Sequence, residues 1–283
     1  MKRIAASVLL FLSCASVSAQ TTVPEIAAPD AAESRGTINR RVDPDAYSIL
    51  STARGVTAHK ANFLFPATYS DDYHGRRTEM VGQFSGKWRV FGSNFYLAYS
   101  QKSFWQYLNT RESSPFRETD YDPEAFYRWI PDAKIFNHWG LDAGFEHESN
   151  GRTFPQSRSW NRIYLAPFQA KGAYLAYLKF WYRVPEGDPS SPTHENGDDN
   201  PDITHYLGNA ELTFSRQIGG EQLLTAVLRG NPDGRGAVQL TWSIPSRDHW
   251  MFWAVSVFHG YGESLADYNH EITRLMAGVM LAR

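Results

Sequence analysis

The chain has almost no cysteine: among its 283 residues Cys14 stands alone, so no disulfide can form within it. It also lacks an excess of charge of either sign. With 28 basic against 30 acidic side chains the formal net charge is -2. That balance leaves no basic surface field to concentrate a phosphate backbone, and nucleic acid is excluded as a partner. Beyond the first dozen residues long apolar runs are missing, and nothing approaches the roughly 20 apolar residues of a membrane-spanning helix. If this chain enters a membrane, it must do so with strands. Closure into a barrel is then compulsory, because an open sheet edge in lipid leaves a row of N–H and C=O groups unpaired at several kcal/mol each. There is no G-x-S-x-G nucleophile elbow and no strand-to-helix alternation, which argues against a soluble esterase. The pair His147-Glu148 lacks the second histidine of H-E-x-x-H, which argues against a metalloprotease.

What is present begins with an export signal. Lys2 and Arg3 precede the apolar run Ile4 to Leu12, and Val17-Ser18-Ala19 before Gln20 reads as an A-x-A-like cleavage site. Residues 1–19 are therefore expected to be a signal peptide, and Cys14 leaves with it. Residues 20–57 are rich in Ala, Pro, Thr and charge without a period of two, and read as a periplasmic extension. From residue 58 to 283, polarity alternates in segments of about ten residues separated by turn clusters such as Ser70-Asp71-Asp72 and Gly219-Gly220. The segments fall at 59–70, 77–91, 94–107, 122–132, 135–148, 160–171, 173–184, 203–217, 221–230, 237–245, 249–260 and 270–281. The expected fold is all-β: a transmembrane antiparallel β-barrel of about 12 strands.

Alternation is clearest in Tyr174, Ala176, Leu178, Phe180 and Tyr182, and in Val238, Leu240, Trp242 and Ile244 opposite Gln239, Thr241 and Ser243. These apolar rows are expected to face lipid, with aromatic rings at headgroup level. A soluble sandwich with one wet face shares the pattern; the export signal, the loss of cysteine and the strand length favour the barrel. Long connectors at 108–121, 149–160 and 185–202 alternate with tight turns, so function is expected on the long-loop rim.

One hairpin concentrates chemistry. His147 and Ser149 are two residues apart near the end of a strand, so both side chains fall on one face, a workable base and nucleophile spacing. Pairing His147 with Asn161 on the next strand also pairs Phe145 with Ile163 and Ala143 with Leu165, all on that face. Asn161 can then hold the imidazole in one tautomer. Asp142, Glu146 and Glu148 take the opposite face, suited to the lumen, so the site would point outward toward lipid and meet acyl esters. Gln101 sits in the alternate row Phe95, Leu97, Tyr99, Gln101, Ser103 and Trp105. Its amide would face hydrocarbon, which is costly without a partner across an interface.

The segments His147-Glu148-Ser149-Asn150-Gly151-Arg152 and Ser157-Arg158-Ser159-Trp160-Asn161-Arg162 resemble the outer membrane phospholipase A family. So do Gln101-Lys102-Ser103, Ser113-Ser114-Pro115-Phe116-Arg117-Glu118-Thr119, Asn200-Pro201-Asp202-Ile203-Thr204 and Gly260-Tyr261-Gly262-Glu263-Ser264. The likeness runs from roughly residue 93 to 281. It implies a Gram-negative outer-membrane enzyme that hydrolyses sn-1 and/or sn-2 acyl esters of phospholipids and lysophospholipids. Ser149 is then the nucleophile, His147 the base and later the acid, and Asn161 the orienting group. The resemblance further implies Ca2+, with ligand positions on the Ser113 hydroxyl, the Arg152 carbonyl and Ser157. A second calcium position falls on Asp199, although its companion aspartate is replaced by Phe154. It also implies a reversible homodimer with Gln101 in the interface. The alternative is a non-enzymatic pore or adhesion barrel in which His147 and Ser149 are rim residues. The final Gly278-Val279-Met280-Leu281-Ala282-Arg283 lacks the terminal aromatic residue usual in outer-membrane barrels.

Overall fold

The computed structural model describes residues 47–52, 55–131, 138–195 and 197–283. The expected signal peptide and the extension as far as residue 46 lie outside the described residues. The strands are β1 (Val56–Ala58), β2 (Asn62–Ser70), β3 (Met80–Arg89), β4 (Phe95–Trp105), β5 (Phe116–Trp129), β6 (Trp139–Ser149) and β7 (Ser159–Lys171). They continue with β8 (Tyr174–Val184), β9 (Ala210–Gln217), β10 (Leu223–Gly230), β11 (Gly236–Pro245), β12 (Phe252–Tyr261) and β13 (Glu271–Ala282). Each of β2 to β13 pairs antiparallel with its neighbours in sequence. β2 also pairs with β13, so the twelve strands close into a barrel without an edge. Closure satisfies the backbone without water, as lipid demands.

β1 continues the same edge of β3 beyond β2, with Ala58 opposite Gly86 and Phe63 opposite Gln83. In the gap between them side chains replace the ladder. Asn62 Nδ2 donates to the Ser85 carbonyl (2.9 Å), Asn62 Oδ1 accepts from the Ser85 N–H, and the Lys60 N–H donates to Ser85 Oγ (2.9 Å).

Two expected segments differ from the structure. The strand expected at 122–132 begins at Phe116, because Glu118, Asp120, Asp122 and Glu124 all alternate inward. Its period of two is written in acid against neutral residues, so a hydrophobic reading sees only the second half. The segment expected at 203–217 opens instead with a short helix, α1 (Ile203–Leu207), before β9. Ile203 and Leu207 are one helical turn apart and both are buried. Gly208, at φ +73, ends the turn against the Gly230 backbone, where a Cβ has no room.

The part of the 20–57 stretch that the structure describes lies in the barrel. Tyr47 and Leu50 belong to the buried core cluster. The carbonyls of Ser48 and Ile49 accept from Lys87 Nζ (2.5 and 3.2 Å), and Arg128 Nη2 also donates to Ile49 (3.0 Å). Orphan carbonyls of a single helical turn are thus satisfied by lumenal cations. The Ser48 N–H and hydroxyl both donate to the Arg283 carbonyl (2.8 and 2.9 Å), tying this segment to the short-turn rim.

The outward rows are apolar as expected, with Phe180, Tyr182, Leu240 and Trp242 all exposed. The lumen is filled rather than open. Aromatic side chains including Tyr96, Phe126, Trp160, Tyr164 and Trp181 pack one region, and buried ion pairs fill the next. Arg128 forms a two-pronged pair with Asp142 (2.7 and 2.7 Å), and Arg274 bridges Glu79 (2.9 Å) and Glu263 (2.7 Å). Charges taken out of water persist only when paired in this way. A cavity of about 330 Å³ remains, lined by polar groups such as Gln239, Thr241 and Ser243. At the long-loop rim Arg117 ties Glu79 (2.5 Å) to Asp267 (2.5 Å), while Tyr73 beneath it donates to Asp267 (3.1 Å). Burial pushes the Tyr73 hydroxyl up to about 12, so it remains a donor at any physiological pH.

Candidate active site

The β6–β7 hairpin has the register expected from the sequence: His147 faces Asn161, Phe145 faces Ile163, and Ala143 faces Leu165. The row is outward, since Phe145, Ile163 and Leu165 are exposed while Asp142 and Glu146 are buried in the lumen. His147 Nδ1 lies 2.9 Å from Asn161 Oδ1. An amide oxygen only accepts, so Nδ1 carries the proton and Nε2 presents its lone pair. Ser149 follows on the same face, opposite Ser159 on β7 and Tyr121 on β5. Among the described residues no hydrogen bond reaches its hydroxyl, a looseness common before substrate binds.

Asn150 anchors the loop that follows Ser149 at several points. Asn150 Oδ1 accepts from the N–H groups of Arg152 (3.2 Å) and Arg158 (3.0 Å). Its Nδ2 donates to the Gln156 carbonyl (2.9 Å) and to Glu118 (3.1 Å). The connector after β8 is pinned beside it. The Ser159 N–H donates to Asn200 Oδ1 (3.0 Å), and the Asn200 N–H donates to Asp198 (3.1 Å), which pairs with Arg183 (2.6 Å).

These contacts bring part of the expected calcium set together. Ser157 Oγ donates to Asp199 Oδ2 (2.5 Å), and Arg152 lies in the same loop, where no hydrogen bond terminates on its carbonyl among the described residues. Neutral and anionic oxygens of this kind match a hard divalent cation. Ser113 stands apart in the β4–β5 connector, in a left-handed conformation at φ 61, with no hydrogen bond to the other three. A second acidic group, Asp122, Glu124 and Glu146, lies inside the barrel on the opposite face from Ser149. Ammonium groups already fill the role of a cation there: Lys60 Nζ lies 2.5 Å from Asp122 and 2.9 Å from Glu146, and Lys179 Nζ lies 2.6 Å from Glu146.

Gln101 is on the outward row of β4 as expected, but its amide is not bare within one chain. Tyr99 donates to its Oε1 (2.9 Å) and its Nε2 donates to Ser103 Oγ (3.3 Å). Gln101 faces Tyr121, which faces Ser149. Two strand spacings, about 10 Å, therefore separate Gln101 from Ser149 along one polar row.

One residue of the site gave no signal in the sequence. Glu186, in the connector after β8, accepts from Asn161 Nδ2 (2.5 Å) and from Ser159 Oγ (3.2 Å). It lies in a stretch with no periodicity, two residues past Val184, which faces Asn161.

The profile of the phospholipase A1 family matches residues 45–281. The phospholipase A1 of Escherichia coli strain K12 is 40% identical over 225 residues, covering 76% of this chain and 73% of that protein. The Salmonella typhimurium phospholipase A1 is 39% identical over the same length and coverage. Among solved structures, the outer membrane phospholipase A from Escherichia coli superposes with a TM-score of 0.70 at 35% identity, covering 80% of this chain and 94% of that one. A calcium-bound dimer of the Salmonella typhi outer membrane phospholipase gives 0.68 at 34% identity, with 81% and 93% covered.

Proposed function

The chain belongs to the phospholipase A1 family, and from that premise we propose that it is an outer-membrane enzyme cleaving phospholipid acyl esters through Ser149, His147 and Asn161. Phospholipase activity and an outer-membrane barrel come with the family and the fold. The division of labour among the three residues is the proposal. The observation that carries it is the hydrogen bond between His147 and Asn161, set in an outward row that continues the apolar side chains Phe145, Ile163 and Leu165.

With Nδ1–H committed to Asn161 Oδ1, His147 Nε2 is free to take the Ser149 proton as Oγ attacks the ester carbonyl. The tetrahedral intermediate collapses as His147 returns that proton to the departing glycerol oxygen, leaving an acyl group on Ser149. Water, deprotonated by His147, then releases the fatty acid. Either the sn-1 or the sn-2 ester can present a carbonyl to this arrangement. Asn161 does not exchange a proton; it fixes the tautomer and stabilises the imidazolium.

The Ser113 hydroxyl, the Arg152 carbonyl and Ser157 are the oxygens that would hold calcium beside this loop, with Asp199, hydrogen-bonded to Ser157, at a second position. The ion supplies positive charge near the developing oxyanion when bound. Gln101, on the same row as Ser149, places the proposed homodimer contact next to the catalytic face. Two copies related by a two-fold axis would then flank a shared groove for the acyl chain. Residues 1–19 are proposed to leave as a signal peptide, with 20–46 preceding the barrel.

Hydrolysis of phospholipid in mixed micelles, measured with calcium and with excess chelator, tests this reading. It requires turnover that depends on both Ser149 and calcium. Full activity after confirmed metal removal would contradict the calcium role.

A further inference from the structure

We infer that Glu186 is a positioning residue that locks the Asn161 amide with its oxygen toward His147, extending the relay to Ser149, His147, Asn161 and Glu186. The inference rests on the triad reading above. An asparagine amide is a two-way group: its oxygen and nitrogen have nearly the same size and can exchange places by rotation. In the reversed orientation Nδ2 would donate to His147 Nδ1 and force the ring proton onto Nε2. In the triad reading that nitrogen serves Ser149, and a protonated Nε2 cannot take the serine proton. Histidine held in the wrong tautomer costs a hydrolase of this class on the order of 10⁴ in turnover. An asparagine in this position therefore needs something to choose its orientation, as an aspartate does not.

Glu186 makes that choice. Its Oε1 lies 2.5 Å from Asn161 Nδ2, and a carboxylate accepts but never donates. Reversing the amide would bring two oxygens face to face at that distance. The carboxylate is itself anchored, since Ser159 Oγ donates to Oε2 (3.2 Å). Ser159 faces Ser149 across the hairpin, and Val184 at the end of β8 faces Asn161, so three strand ends converge on this contact. Among the charges of the neighbouring strands, Glu146, Glu148 and Arg162 pair with one another in the lumen (Arg162 to Glu148, 2.9 Å) and Arg183 pairs with Asp198 (2.6 Å). Glu186 thus brings negative charge behind the amide, polarising the oxygen that accepts the hydrogen bond from the imidazole N–H.

A double-substitution cycle separates this role from loop anchoring. Glu186→Gln alone is expected to lower kcat about tenfold or more with little change in KM, the scale on which removing a group that orients a functional histidine acts. In the Asn161→Asp background the orienting group is symmetric and needs no lock, while Glu186 opposes it as a like charge. Glu186→Gln there is expected to raise activity. Both turnover on micellar phospholipid with calcium and the rate of Ser149 labelling by an alkyl fluorophosphonate are read, so slow variants remain measurable. Barrel closure is checked by gel mobility with and without heating. The sign reversal supports the lock. An equal loss in both backgrounds, or full kcat in Glu186→Gln alone, overturns it while leaving the triad intact. Activity surviving in Ser149→Ala would instead remove the triad itself.

Discussion

At the scale of single side chains, the proposed mechanism makes Ser149 and His147 one chemical unit, so that losing either removes the attack. Ser149→Ala and His147→Ala are each expected to lower kcat by several decades, on the order of 10⁴ or more, in barrels that still fold. Asn161→Ala should cost less, because the imidazole remains and only its orientation is lost. Comparing kcat among the three purified variants checks the ranking. The placing of His147 against Asn161, with Ser149 on the same face, was legible in the sequence because a strand puts i and i+2 on one face, and because one register satisfied both polar pairing and hydrophobic parity. Glu186 was not legible. It comes from a connector without a period, and only the folded β8 end brings it to Asn161. The hydrogen bonds of Gln101 to Tyr99 and Ser103 were equally hidden, since alternation gives the face of a side chain but not what its amide reaches.

At the scale of the element, β5 shows how a strand can be missed by hydrophobicity. Its inward row is four carboxylates from Glu118 to Glu124, and those charges settle inside only because Lys60, Lys179, Arg152 and neighbouring donors meet them. The same logic predicts where the barrel is fragile. Arg274 on β13 is completely buried between Glu79 and Glu263. Arg274→Leu leaves Glu263 without its ion pair and Glu79 with Arg117 alone, and is expected to cost about 3–5 kcal/mol, read from denaturant unfolding in lipid vesicles. β4 carries the proposed dimer face, and there the effect is smaller. Because Gln101 already finds partners within its own chain, Gln101→Ala is expected to weaken self-association by about 1 kcal/mol, roughly fivefold, with little change in folding. Sedimentation in detergent measures it, and activity should fall in parallel. Most strand limits were readable from turn clusters. The start of β9 was not, because Ile203 and Leu207 suit a strand by composition and become a helical turn only against the rim.

At the scale of the whole molecule, the barrel turns the usual arrangement of an enzyme inside out. Its interior is packed with aromatic side chains and ion pairs around a polar cavity, and the proposed site lies on the outward face. The outward rows are accordingly intolerant of charge: Leu240→Arg, midway along β11, is expected to destabilise the folded barrel by about 2–4 kcal/mol in vesicles. The Tyr47–Leu50 segment closes the short-turn end, a role invisible in a stretch whose composition reads as extension. The central claim is that an outward-facing Ser149, activated by His147, cleaves phospholipid at the membrane surface. The most direct measurement is fatty-acid release from phospholipid micelles by wild type and Ser149→Ala, each with calcium and each verified as folded. The account predicts calcium-dependent release by the wild type and a loss of several decades in the variant; release by folded Ser149→Ala at the wild-type rate would contradict it.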